Sequence, residues 1–144
     1  MSLFSALSVS ASGMAAQRTR AELLVENLAN ADTTRTPEGG PYRRKDVVFE
    51  AQPAAAFASV LDSQLRGAPG GVAVADIVVD TRDPERRYMP GHPDADTDGY
   101  VSFPRISPAE DMVDLLSAQR GFEANVSAMS AVKDMIQRSL DLLR

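Results

Sequence analysis

Asp94, Asp96 and Asp98, with Gly99 behind them, alternate as the first half of a calcium loop does. In such a loop, carboxylates on every second residue reach one cation and the glycine permits the sharp turn. The second half does not follow: the twelfth position counted from Asp94 is Arg105 rather than a bidentate glutamate, and strand-like residues, Tyr100 to Phe103, follow Gly99. A solvated acidic turn is the expected outcome. His92 is the single histidine, flanked by prolines and with only Asp94 and Asp96 near it in sequence, so it reads as part of a turn rather than a catalytic or metal-binding group. Gly39-Gly40 and Gly70-Gly71 lack the strand, helix and lysine of a phosphate loop, and Met112, Met129 and Met135 read as packing residues. No cysteine is present, which removes disulfides, thiolate metal sites and thiol nucleophiles. These residues define no catalytic group, no cofactor and no metal, so an enzyme is not expected.

Net charge −5 over 144 residues argues against nucleic acid as the main partner, because such partners need clustered cations; Arg43, Arg44 and Lys45 are too short a run. Hydrophobic residues make up 44%, but many are alanine, Trp is absent and aromatics are 6%, which limits the core the chain can build alone. No apolar run approaches a membrane span, and the N-terminal residues lack a cleavable-signal pattern. Neither membrane insertion nor a small-molecule substrate is expected.

With so little chemistry in side-chain clusters, function must lie in the elements themselves. Residues 107–144 read as one long helix: Ser107 as N-cap, Pro108 at the first helical position, and Glu110 where a capping box places an acid. Along it Met112, Leu115, Gln119, Phe122, Val126, Met129, Lys133, Ile136, Leu140 and Leu143 recur at steps of three and four, a heptad seam that needs a partner. Residues 2–31 form a second, weaker helical stripe through Leu3, Leu7, Met14, Ala21, Leu24, Leu28 and Ala31. Its first half is rich in serine, alanine and glycine, so residues 5–16 are expected to be mobile until packed. Gly121, inside the long helix, is either a tolerated surface glycine or a point of close approach by another subunit.

Asn27, Asn30 and Thr34 mark the junction where the first helix gives way to the turn at Pro37-Glu38-Gly39-Gly40-Pro41. Strands are expected at 42–50, 72–80, 86–89 and 100–103, together one small antiparallel sheet, with a flexible loop near 53–71. The fold class is therefore mainly α with a small β insertion (α+β). An N-terminal helix (1–35) and a C-terminal helix (107–144) pair as a coiled coil, and the insertion spans 36–106.

Several runs carry a resemblance: Ser12-Gly13-Met14-Ala15-Ala16-Gln17-Arg18, Glu26-Asn27-Leu28-Ala29-Asn30-Ala31-Asp32-Thr33-Thr34, the Thr36 to Arg43 turn, Tyr88 to Asp96 with Gly99-Tyr100-Val101, and the terminal helix. Over nearly its whole length the chain resembles the flagellar rod, hook and hook-associated axial family. The resemblance implies that the terminal helices form a coiled-coil inner domain and that subunits stack helically into the proximal rod, in the periplasm, to transmit torque. It also implies type III export without a cleaved signal. Partners so implied are the rod proteins FlgB and FlgF, together with FliE and further copies of the chain. Seam positions expected to carry assembly are Met14, Leu24, Leu28, Phe122, Val126, Met129, Ile136 and Leu140, with Asn27, Asn30 and Thr34 at the helix-to-turn junction. The alternative is a soluble coiled-coil adaptor or secreted effector that does not polymerise.

Overall fold

The structure, a computed structural model, describes residues 3–52 and 70–142. Helix α1 (Leu3–Ala29) leads into strand β1 (Lys45–Gln52); then come β2 (Gly71–Val79), β3 (Glu85–Tyr88), β4 (Tyr100–Phe103) and helix α2 (Pro108–Asp141). Most of the expected 53–71 loop, and Leu143 of the heptad series, lie outside the described residues. Gly70 is described, and Gly71 begins β2.

At 34 residues α2 is about 51 Å long. Its start follows only part of the capping pattern: Pro108 opens the helix and the Ser107 carbonyl accepts from the Asp111 N–H at 3.0 Å, but the Ser107 side chain makes no cap hydrogen bond. The acids Glu110 and Asp111 in the first turn still suit the positive end of the helix dipole.

The two helices run antiparallel. Arg20 reaches Asp114 at 3.4 Å, while Gly121 faces Gln17 and Gly13 faces Asn125, so partner numbers rise on one helix as they fall on the other. The α2 face turned towards α1 repeats every seven residues through Asp111, Ala118 and Val132, all buried, with part-buried Asn125 in the same series. On α1 the buried residues are Ser10, Ala16, Leu23, Leu24 and Asn27. Small residues let the helices close up. A Cβ on Gly121 would lie 3.2 Å from the Gln17 side chain and one on Gly13 would lie 3.1 Å from the Asn125 amide. Gly121 thus answers to a close approach within the chain.

Between the helices lie two antiparallel two-stranded sheets, β1–β2 and β3–β4, rather than one sheet. The first packs on α1; its register shifts between Val48 and Phe49, where Val48 faces Asp76 and Phe49 faces Val74. Pairing ceases after Lys45↔Val79, and Asp80 then folds onto Arg82 through a bidentate carboxylate–guanidinium contact that holds its pKa down at about 2, so the ladder does not run on into β3. β1 begins three residues later than the sequence pattern suggests, because Tyr42 is used by the turn: its N–H donates to the Thr33 carbonyl at 3.0 Å.

The helix pair and its junction as the candidate functional site

Asn27 is 0% exposed and acts as a fragment of β-strand supplied by a helix. Its Nδ2 donates to the Lys45 carbonyl at 2.8 Å, and its Oδ1 accepts from the Lys45 N–H at 3.0 Å, so the side-chain amide satisfies both backbone groups at the head of β1. The Tyr42 hydroxyl adds a third bond to Oδ1 at 3.0 Å. Burial, reinforced by the nearby Glu26 carboxylate, pushes the Tyr42 hydroxyl up to about 12, so it stays a donor across the working range. Only an amide offers donor and acceptor side by side in the geometry a peptide edge requires. Tyr42→Phe removes one of the three bonds, and should cost about 1 kcal/mol and lower Tm by about 3 °C in a thermal melt.

The next turn continues the pattern. Asn30 Nδ2 donates to the Glu26 carbonyl at 2.9 Å and its Oδ1 accepts from Thr33 Oγ1 at 3.1 Å, which closes the helix end. Thr34 Oγ1 donates to Asp94 Oδ2 at 2.8 Å, and Arg35 lies 3.5 Å from the other carboxylate oxygen. The acidic turn therefore has structural work: Asp94 ties the β3–β4 unit to the helix end, its own N–H donates to His92 Nδ1 at 3.1 Å, and Asp96 accepts the N–H groups of Asp98 and Tyr100.

Two ion pairs fix α2 against the rest. Arg44, just ahead of β1, places a guanidinium nitrogen 2.8 Å from Asp111 Oδ1, where the carboxylate side chain is 0% exposed, while Asp46 holds Arg44 from another side at 3.2 Å. The Arg44 nitrogen sits off the line of a hydrogen bond, so the contact is ionic and Asp111 keeps unfilled acceptor capacity. Burial raises the Asp111 carboxyl above its ordinary value, and the Arg44 charge works against that rise. One turn on, Arg20 and Asp114 link α1 to α2.

Of the residues expected in the seam, Leu24 is buried, and Met14, Leu28, Met129 and Ile136 are part-buried. Phe122, Val126 and Leu140 are exposed at 38, 43 and 60%, because the α2 series facing α1 begins at Asp111, one residue and about 100° of rotation before Met112. Asn27, Asn30 and Thr34 all sit in the junction. Sequence reasoning missed Tyr42, Arg44, Asp94 and Asp111. The one available signal was that Asp111, Ala118, Asn125 and Val132 share a seven-residue spacing, and nothing ranked that stripe above its more apolar neighbour.

Two long terminal helices closed on each other through small residues, with large apolar side chains left facing out, define a structural subunit of an assembly. Residues 97–142 match the family model described as flagellar basal body rod FlgEFG protein C-terminal. The chain is 44% identical to the flagellar basal-body rod protein FlgC of Bacillus subtilis, over 99% of both chains. It is 38% identical to the FlgC proteins of Borreliella burgdorferi, over 100% of this chain and 99% of that one, and of Salmonella typhimurium, over 99% and 98%. The chain belongs to the FlgC family of flagellar basal-body rod proteins and is a structural rod subunit of the flagellar basal body. These relatives lend no support to a non-polymerising adaptor.

Proposed function

We propose that this subunit stacks helically in the proximal rod, within the periplasm, and that its terminal helices carry the contacts that transmit torque. The observation behind this reading is the division of labour on α2: the face towards α1 uses Ala118, Gly121 and Asn125, while Phe122, Val126 and Leu140 remain exposed. A helix that spends its small residues internally keeps its burial energy for neighbours. Copies of the chain, FlgB, FlgF and FliE are the partners that fit, with export through the type III apparatus and no cleaved signal. In this reading the junction built on Asn27, Asn30 and Thr34 sets the angle between the helix pair and the β insertion. The serine- and alanine-rich half of α1 gains its full protection from exchange only on assembly.

Val126→Asp separates an assembly role from a folding role. At an exposed position it should change the stability of the isolated chain by no more than about 0.5 kcal/mol, yet it introduces a charge where a neighbour must pack. Urea denaturation is expected to be unchanged while motility is lost; motility at the wild-type level would remove Val126 from the interface.

A further inference from the structure

The offsets that pair Gly13 with Asn125 and Gln17 with Gly121 bring Leu3, the first residue of α1, level with the Met135 turn of α2. The last turns of α2 therefore run past α1, and on one face of them Met135, Arg138 and Leu142 follow at steps of three and four, with Met135 and Leu142 exposed. At the opposite end of the same helix, Glu110, Val113 and Leu116 follow at steps of three, and Val113 and Leu116 are exposed at 67 and 56%. An open groove of about 480 Å³ lies beside Val113, lined also by Arg44, Ala109, Glu110 and Asp114. Glu110 and Arg138 form no ion pair among the described residues.

Resting on the rod-subunit reading above, we infer that the Met135–Arg138–Leu142 face of one copy docks on the Glu110–Val113–Leu116 face of the next. Each set of three carries two apolar side chains and one charge that forms no ion pair among the described residues, and the two charges are opposite, so Arg138 can pair with Glu110 while Leu142 enters the groove beside Val113. Two copies of either face would bring like charges together, which disfavours an isologous contact. A contact between different patches does not close on itself, so its repetition generates an open filament, as an axial element requires. The occupant is thus a second copy of this chain.

The absence of cysteine makes the test clean. Val113 and Leu142 are about 44 Å apart along one straight helix, so no disulfide can join them within a chain. Under mild oxidation, a mixture of full-length Val113→Cys and Leu142→Cys chains should yield the mixed dimer, in preference to either symmetric dimer. Glu110→Arg and Arg138→Glu should each raise the concentration needed for assembly about tenfold, and the two together should restore it. Assembly without the 113–142 bridge, or without rescue by the double reversal, overturns the contact and leaves the rod-subunit reading in place. A chain that never associates overturns both.

Discussion

Replacing Asn27 with leucine should lower the stability of the isolated chain by about 3–5 kcal/mol, a large share of the ~5–15 kcal/mol available to a domain of this kind. Leucine keeps the branching and heavy-atom count of asparagine but is bulkier at its two methyl groups, so the loss combines hydrogen bonding with a cost of overpacking. It strips partners from the Lys45 N–H, the Lys45 carbonyl and the Tyr42 hydroxyl, at a site where Asn27 is fully buried. Each buried group left unpaired costs about 1–3 kcal/mol. Water entering to fill those bonds would have to open the contact between α1 and β1. The measurement is the urea midpoint of the variant, with the slope checked for two-state behaviour. A loss below about 1 kcal/mol would mean that the amide is dispensable and the junction is held by apolar contact alone.

Arg44→Met should be nearly as damaging, by about 3–5 kcal/mol near neutral pH, because it leaves the Asp111 carboxylate buried without its counter-charge. The pH dependence identifies the cause. Burial already raises the folded-state pKa of Asp111 above its unfolded value. A raised carboxyl contributes stability that is fully present below the unfolded value, about 4, and is lost as pH rises through the folded value. Removing Arg44 takes away the charge that opposes this rise, so the folded value moves further up and the deficit spreads over a wider range. The Arg44→Met deficit should therefore be largest at neutral pH and shrink as pH falls towards 4, where Asp111 is neutral in either state. Adding Asp111→Asn in the same chain should recover most of the loss at pH 7 and flatten the profile. Urea midpoints taken between pH 4 and 8 give the comparison, and a deficit that does not vary with pH would exonerate the buried charge.

The two variants probe different parts of one arrangement. Asn27 joins α1 to β1, and Arg44 joins the residues just before β1 to α2. Both links converge on residues 42–45, so this short run sets how the helix pair meets the insertion. Arg43-Arg44-Lys45 reads in sequence as a basic triplet too small to bind nucleic acid. In the fold its members separate: Arg43 donates to the Asp80 carbonyl at 3.0 Å, Arg44 meets Asp111 and Lys45 meets Glu26 at 2.6 Å. No local pattern foretells this, because Asp80 and Asp111 lie more than thirty residues away and Glu26 lies nineteen away.

The sequence by itself determined the two terminal helices, the strand-rich middle, the absence of a thiol or a histidine cluster, and the place of Asn27 and Asn30 at a helix end. Each of these depends on neighbours within a few residues: heptad spacing, proline and glycine at turns, or a count of residue types. Tertiary structure decided which stripe of α2 turns inward. Met112, Phe122 and Val126 are the more apolar set, yet the helix turns so that Asp111, Ala118 and Asn125 face α1, because Arg44 and Arg20 anchor its first turns and Gly13 and Gly121 allow the closest approach. Periodicity gives the interval between buried residues but not its phase. Phase is set by contacts between segments distant in the chain, and here those contacts leave the large side chains outside.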